Sequence, residues 1–270
     1  MKALLIGDVI GRPGRVAVER FVVPMREELA IDLVVINCEN AAGGAGITPS
    51  VAEELFRAGA DVLTSGNHVW RKKEGLSLLK LDHRVLRPAN YPETAPGSGA
   101  TVIETLSGLK VGILNLQGRV FMEPVVDCPF RVAVREVERL RLSTPMIIVD
   151  MHAEATSEKV ALGWYLDGKV SCLVGTHTHI PTADERILPQ GTAFLTDLGM
   201  TGPYDSVIGR KTDQILERFL HGLPMKSDVA EGNVQLRGLL VEIDPKTGKA
   251  THVERVTKVL EEAVHDSERD

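Results

Sequence analysis

Residues that can bind metal ions follow several short apolar segments of the sequence. They offer imidazole nitrogens or amide and carboxylate oxygens, and the set is Asp8, Glu39, Asn40, Asn67, His68, His152, His177 and His179. One such residue alone is weak evidence, because an Asp after a strand is often a helix cap and a lone His is often structural. Together, nitrogen and oxygen donors of these types suit Mn, Fe, Zn or Co. The pattern therefore indicates a transition-metal site assembled from distant parts of the chain.

The two histidines on either side of Thr178 have a spacing that bears on the number of metals. In extended backbone, residues separated by one position point to the same side of the chain. This spacing predicts that His177 and His179 face one site together, with a gap that suits two neighbouring metals.

The apolar segments that precede these residues have the pattern of buried strands. Residues 3–6, 33–37 and 62–64 are short apolar runs without polar alternation, as in parallel sheets covered on both faces. Helices are predicted between them at residues 15–29 and 50–58. The first third of the chain is therefore predicted to fold as β-α-β-α-β with right-handed crossovers. Ligand sites of such sheets lie at the carboxyl ends of the strands, where the donor residues fall.

The remainder of the chain is predicted to continue the mixed α/β pattern. Further helices are expected at residues 130–142 and 211–220, and a final strand near 251–257 follows a turn at 244–248. Further strands are expected at residues 101–104, 111–116, 146–150, 170–174, 193–196 and 236–243. We expect one domain over residues 1–258 and a charged tail over residues 259–270.

Composition narrows the classes of function. The hydrophobic fraction of 43% and the charged fraction of 25% are ordinary for a globular protein. The net charge of −6 argues against a duplex DNA-binding surface, which usually needs many basic contacts. Neither a signal peptide nor a membrane span is expected, so the sequence predicts a cytoplasmic protein without a membrane partner. Three widely spaced cysteines, Cys38, Cys128 and Cys172, argue against a disulfide framework.

The motifs also resemble those of a known superfamily. In chain order, Gly7-Asp8, Gly66-Asn67-His68, Met151-His152 and the segment 175–179 resemble the motif set of calcineurin-like metallophosphoesterases. More narrowly, residues 7–14, 37–41 and 65–70 resemble its YmdB-like branch. The similarity runs from Asp8 to His179 and continues through residues 197–203.

The resemblance implies an α/β fold, a four-layer α/β/β/α sandwich with a dinuclear metal site at the strand ends. It implies two divalent or trivalent transition-metal ions per subunit, with Fe or Mn favoured and Zn or Co as alternatives. By position, Glu39 would bridge both ions. Asp8 and His179 would complete the first metal, and the second would take Asn67, His152 and His177.

Two positions depart from the broad superfamily pattern. The bridging acid is usually Asp, and Glu39 is one methylene longer. The second residue after the first Asp is usually a ligand His, and here it is Ile10, which cannot coordinate a metal. The resemblance to the branch implies that Asn40 takes this place in the coordination of the first metal.

The implied activity is hydrolysis of small phosphodiesters such as cyclic mononucleotides, by attack of a hydroxide held between metals roughly 3.5 to 4 Å apart. His68 would protonate the leaving oxygen or bind a phosphate oxygen. Three alternatives stay open: a nuclease acting on short RNA, a phosphomonoesterase, and a non-catalytic metal-binding regulator. The sequence does not fix the oligomeric state, and a homo-oligomer is one option.

Overall fold

The computed structural model describes residues 1–261, and over this part of the chain strands and helices alternate for most of the length. The strands are β1 Lys2–Ile6, β2 Asp8–Val9, β3 Leu33–Asn37, β4 Val62–Thr64, β5 Ala100–Glu104, β6 Lys110–Gln117, β7 Ile147–His152, β8 Cys172–Thr176, β9 Arg186–Ile187, β10 Ala193–Leu195, β11 Met200–Pro203, β12 Val234–Ile243 and β13 Ala250–Val259. The helices are α1 Gly11–Glu28, α2 Pro49–Arg57, α3 Gly75–Leu81, α4 Pro129–Arg141, α5 Thr156–Leu166 and α6 Thr212–His221.

The strands form two mixed sheets. The first has the order β2-β11-β12-β1-β3-β4, with β13 also paired to β12. Its strands β1, β3 and β4 are parallel, as the β-α-β-α-β prediction requires. The second sheet has the order β5-β6-β7-β8-β10-β9, and its four central strands are parallel. In both sheets the carboxyl ends of parallel strands therefore meet along one edge.

Three clusters of buried apolar side chains separate four layers. The first cluster joins the first sheet to α1 and α2, through residues such as Leu4, Val18 and Leu55. The second lies between the two sheets and contains Leu5 and Ile148. The third joins the second sheet to α4 and α5. Alternate residues of β1 supply different clusters, because successive side chains of a strand point to opposite faces. The predicted four-layer α/β/β/α sandwich is confirmed.

Most predicted elements are present, with shifts at their ends. The predicted strands at 33–37 and 62–64 coincide with β3 and β4. Helix α1 begins at Gly11 rather than at residue 15, since Pro13 is accommodated in its first turn. Helix α2 starts where predicted within one residue, and its cap Thr48 accepts a hydrogen bond from the Val51 amide.

Helices α3 and α5 were not predicted from the sequence. In α5 the buried face includes Glu158 and Lys159, while Trp164 and Tyr165 are 51% and 47% exposed. Charged residues on the inner face and aromatic residues on the outer face obscure the apolar stripe by which a helix is recognised. The short strands β2, β9 and β11 were also missed, because two to four residues carry too little pattern.

Strand β13 ends at Val259, one residue past the predicted domain limit at residue 258. Of the predicted tail, residues 262–270 lie outside the described part of the chain. Over residues 1–261, the helices are too short or too polar to cross a bilayer.

Candidate metal centre

Both sheets contribute to one cluster of donor residues at the shared edge. Asp8 stands in β2, directly after β1, where β2 pairs in parallel with β11. The chain leaves β3 into Glu39 and Asn40, and leaves β4 into Asn67 and His68. From the second sheet, β7 ends in His152, and the loop after β8 carries His177 and His179. All eight residues that the sequence singled out are therefore brought to this edge.

One group of donor atoms surrounds the imidazole of His152. Its Nε2 atom lies 3.2 Å from Glu39 Oε2, 3.2 Å from Asn67 Oδ1 and 3.1 Å from His177 Nδ1. The His152 side chain is fully buried, and Glu39 is 1% exposed. Two imidazole nitrogens and two oxygens converging at such short distances match the donor set of a transition-metal ion. Glu39, His152 and His177 alone bring their ligand atoms within 4.8 Å of one another.

A second group of donor atoms lies at the other oxygen of Glu39. Asn40 Nδ2 is 3.4 Å from Glu39 Oε1 and 3.0 Å from His179 Nε2, which is itself 4.0 Å from Asp8 Oδ1. The side chain of Asn40 thus reaches this group, but it presents its amide nitrogen. Rotation of the amide by half a turn would bring Oδ1, the atom that can bind a metal, to the same place. The two oxygens of Glu39 therefore face different groups of donor atoms.

In His152, His177 and His179, the ring nitrogen that faces away from the donor groups has an oxygen partner. His152 Nδ1 lies 2.9 Å from Thr176 Oγ1, and His177 Nε2 lies 3.1 Å from Glu154 Oε2. His179 Nδ1 donates to the Ile208 carbonyl at 2.9 Å. Such partners fix the orientation of an imidazole and direct its other nitrogen to a metal. These contacts leave His152 Nε2, His177 Nδ1 and His179 Nε2 directed at the donor groups.

The carboxylate of Asp8 supplies an independent test of whether a cation fits. Its Oδ2 accepts a hydrogen bond from the His177 amide at 3.1 Å. Its Oδ1 is buried and has no hydrogen-bond partner among residues 1–261. A buried carboxylate oxygen without a partner is costly, and a bound cation removes that cost.

The charges of the buried side chains also indicate that the centre suits a cation. Burial opposes ionisation of Glu39, but the imidazoles of His152 and His68 outweigh it and hold the pKa of this carboxyl well below its ordinary value. Burial raises the pKa of Asp8 to about 6, in spite of nearby His179 and His152. Burial likewise opposes protonation of His152, yet Glu39 and Asp8 raise its pKa to about 9. Burial and the charge of His152 lower the pKa of His177 to about 3. The two buried acids thus attract positive charge, which a proton on His152 or a metal ion can supply.

The backbone of the loop after β8 differs from the prediction. His177 and His179 have φ values of 98° and 67°, so the loop is not extended and the expectation that both rings point the same way is wrong. His177 is directed to the group around His152, and His179 to the group around Asp8. The left-handed residues turn the chain so that the two imidazoles serve different donor groups.

His68 lies beside both donor groups and is the most exposed of the histidines at the centre. Its Nδ1 atom is 3.1 Å from Asn40 Oδ1 and 3.1 Å from Glu39 Oε1, and its side chain is 30% exposed. Its backbone amide also donates to Glu39 Oε2 at 3.0 Å. The contact of Nδ1 with Glu39 does not depend on how the Asn40 amide is turned, and it leaves Nε2 as the nitrogen that can reach a bound substrate.

Two buried acidic residues, Asp150 and Asp197, were not expected at the site from the sequence. Both support its histidines through hydrogen bonds to neighbouring threonines. Asp150 accepts hydrogen bonds from Asn37 and Thr64, and from the Thr176 hydroxyl at 2.7 Å. Since Thr176 Oγ1 also contacts His152 Nδ1, this chain of contacts orients the central imidazole. Asp150 precedes His152 by two residues on the same face of β7, which is the signal that could have revealed it.

The second is Asp197, which forms a buried ion pair with Lys159. The Lys159 Nζ atom is 2.6 Å from Asp197 Oδ2, and the two side chains are 0% and 1% exposed. Asp197 Oδ2 also accepts from the Thr178 hydroxyl at 2.8 Å, and Oδ1 accepts from the Gly199 amide at 2.8 Å. The ion pair therefore fixes the residue between His177 and His179.

Gly66 shows how closely the centre is packed. A Cβ atom at this position would overlap both the His152 ring and the Glu39 carboxylate. Only glycine lets the loop after β4 pass close enough for Asn67 to join the cluster.

Comparison with known proteins gives consistent results. Residues 4–256 match the model of the family described as YmdB-like protein. The chain is 46% identical over 256 residues to the 2′,3′-cyclic-nucleotide 2′-phosphodiesterase of Bacillus subtilis (strain 168), covering 95% of this chain and 96% of that protein.

Two crystal structures are similar over nearly the whole chain. A hypothetical protein from Thermus thermophilus superposes with a TM-score of 0.90 at 39% identity, covering 96% of this chain and 99% of that one. A novel phosphatase from Mycoplasma pneumoniae superposes with a TM-score of 0.90 at 35% identity, covering 96% and 93%.

Proposed function

Because the chain belongs to the YmdB-like family of metallophosphoesterases, we propose that it is a metal-dependent phosphodiesterase that opens the phosphate ring of 2′,3′-cyclic nucleotides. That the chain is a phosphoesterase follows from its relatives, which are a phosphodiesterase and a phosphatase. The observation that carries the proposal is the convergence of buried donors on both oxygens of Glu39.

Two transition-metal ions are proposed here, and the two groups of donor atoms at the two oxygens of Glu39 support that number. Asp8, His179 and Asn40 are proposed to hold one ion, and Asn67, His152 and His177 the other, with Glu39 shared by both. Iron or manganese suits this mixture of imidazole, amide and carboxylate, and zinc or cobalt would also fit. When bound, such ions activate water and neutralise the charge that develops on phosphate oxygens.

The residues of the chain have separate tasks in the reaction. Asp8 and Glu39 fix the negative charge that holds the centre together, and burial keeps bulk water from competing for it. Thr176, Glu154 and the Ile208 carbonyl keep the imidazoles in their working orientations. His68, held through Nδ1, donates a proton from Nε2 to the leaving oxygen, which for this substrate is the ribose O2′.

The site also has to accept a substrate of small size. The net charge of −6 disfavours a long polyanion and leaves the centre itself as the source of positive charge for one phosphate. A cyclic mononucleotide carries a single negative charge and needs no extended basic surface. A phosphomonoester is the second candidate substrate, because the similar Mycoplasma pneumoniae protein is called a phosphatase.

The test is hydrolysis of 2′,3′-cyclic AMP in the presence of manganese, with products separated by chromatography. We expect 3′-AMP as the first product, because the P–O2′ bond breaks, with no more than slow conversion to adenosine. The matched control is Glu39→Gln, which keeps the size of the side chain but loses the charge shared by the two donor groups. Hydrolysis of 3′-AMP without hydrolysis of the cyclic substrate would favour the phosphomonoesterase instead.

A further inference from the structure

Two cavities open beside the metal centre, and they are lined by different side chains. One has a volume of about 660 Å³ and borders Asn67 and His177. The other has a volume of about 410 Å³ and borders Asn40, His68 and His179. Each cavity therefore adjoins one donor group, and a phosphate held at the centre would have a cavity on each side.

Each cavity combines apolar or aromatic side chains with an exposed arginine. The larger is lined by Trp70, Phe121 and Arg71. The smaller is lined by Ile208, Ile215, Phe219 and Arg218. Aromatic and apolar walls can pack against the flat face of a nucleobase, and arginine can contact the base or the phosphate beside it.

Residues with strained backbone are concentrated at the metal centre and its two cavities. In the described part of the chain, six residues other than glycine have positive φ, and four of them border the centre or its cavities: Phe121, His177, His179 and Ile208. A non-glycine residue in this region costs free energy, and such residues gather at sites where a side chain must be held in a particular direction. For the two histidines that direction is set by the donor groups. Phe121 and Ile208 belong to neither donor group, and their side chains line the two cavities.

Ile208 occupies a turn for which its side chain is poorly suited. Val207 and Arg210 exchange backbone hydrogen bonds of 2.9 and 3.0 Å around Ile208 and Gly209, whose φ values are 47° and 93°. Two-residue turns of this kind favour Asn followed by Gly, and a β-branched residue is strained at the first position. The Ile208 carbonyl accepts from His179, but any residue would supply that carbonyl. What isoleucine adds at this position is its side chain, which is 45% exposed and lines the smaller cavity.

Phe121, at the larger cavity, likewise has a positive φ that its residue type disfavours. Its φ is 59°, and its side chain is 87% exposed, so the strain is not offset by burial in the protein. A large aromatic side chain exposed in this way is free to pack against a molecule in the larger cavity.

We propose that the two cavities take the two organic arms of a linear phosphodiester with a nucleoside on each side of the phosphate. The arm beside His68 departs and contacts Ile208, and the retained arm contacts Phe121. This inference rests on the proposed function. A 2′,3′-cyclic nucleotide has both ester oxygens on one ribose and fills one cavity, whereas a dinucleoside monophosphate fills both.

The reaction is the same hydrolysis with a different leaving group. A water oxygen bonds to phosphorus, the P–O bond to the arm beside His68 breaks, and His68 gives its proton to the departing oxygen. The proton that the water loses restores His68. The products are a nucleoside monophosphate and a free nucleoside.

The experiment compares 2′,3′-cyclic AMP with adenylyl-(3′→5′)-adenosine as substrates of the manganese-loaded protein. The variants are Phe121→Asn and Ile208→Asn, since asparagine tolerates positive φ and removes the apolar wall without breaking the turn. The control is Ala30→Asn, an exposed residue with φ of 52° at the end of α1. Glu39→Gln, purified in parallel, reveals any contaminating nuclease.

We expect the wild type to cleave both substrates. Phe121→Asn should lower kcat/KM for the dinucleoside by about tenfold, the order of one lost base-stacking contact, and change the cyclic substrate by less than about twofold. Ile208→Asn should lower kcat/KM for both substrates while raising the thermal midpoint, because the turn loses its strain. Ala30→Asn should leave both activities unchanged.

Two results would overturn the inference alone: cleavage of the cyclic substrate with none of the dinucleoside, or equal losses on both substrates in Phe121→Asn. If the wild type cleaves neither substrate, the proposed function is overturned, and this inference with it.

Discussion

Replacing Lys159 with methionine removes the cation from a fully buried ion pair that holds the loop of the metal centre. Lys159 and Asp197 are 0% and 1% exposed, and their Nζ and Oδ2 atoms are 2.6 Å apart. Methionine has nearly the same length and fills the same space, so packing is retained while the Asp197 carboxylate loses its counter-charge. We expect lower stability, and a displaced Thr178 between the two loop histidines.

The size of the effect follows from burial. Removing one partner of a buried ion pair typically costs about 3 to 5 kcal/mol, because a charge is left without compensation. Asp197 keeps its hydrogen bonds from Thr178 and Gly199, which places the expected loss near the lower limit, at about 3 kcal/mol. Adding Asp197→Asn removes the stranded charge, so the double variant should recover part of the lost stability.

The assay is urea unfolding followed by circular dichroism, with a chelator present so that metal binding does not add to the stability. Lys80→Met, at an exposed position in α3, is the matched control and should change stability by less than about 0.5 kcal/mol. A loss below about 1 kcal/mol for Lys159→Met would refute the reasoning. So would a double variant that is less stable than Lys159→Met alone.

Further predictions concern the residues of the centre itself. Glu39→Gln should nearly abolish turnover of 2′,3′-cyclic AMP with the fold intact by circular dichroism, and substantial remaining turnover would contradict its bridging position. His68→Ala should keep its metals but slow the cyclic nucleotide by about a hundredfold or more, and slow bis(p-nitrophenyl) phosphate much less, because nitrophenolate leaves without a proton. Equal losses on the two substrates would show that His68 binds phosphate instead. Asn40→Ala should lower the metal content measured by mass spectrometry toward one ion per subunit, whereas Ile10→Val should cost only about 0.5 to 1.5 kcal/mol of stability. Unchanged metal content in Asn40→Ala would remove Asn40 from the ligand set.

The general form of the centre could be predicted because it depends on a simple property of parallel sheets. Asp8, Glu39 and Asn67 follow strands of one sheet, and His152 and His177 end or follow strands of the other. Short apolar runs located those strands, and the position of the donors after them indicated where they would meet. The four layers followed from the family resemblance rather than from the periodicity of the sequence.

Other features depend on contacts that a sequence pattern does not contain. A lysine in a helix is normally exposed, so complete burial of Lys159 could be recognised only from its contact with Asp197, 38 residues away. The left-handed backbone of His177 and His179 contradicted the extended geometry assumed from their spacing. The strain at Phe121 and Ile208 was equally invisible, because neither residue type favours positive φ.

The central claim, a two-metal centre that performs the hydrolysis, is tested most directly by titrating metal into chelator-treated protein. Manganese is added in steps, and bound metal and hydrolysis of 2′,3′-cyclic AMP are measured at each step. We expect no activity without metal, and activity that reaches its maximum when about two ions are bound per subunit. Full activity in the chelated protein, or at one bound ion per subunit, would contradict the account.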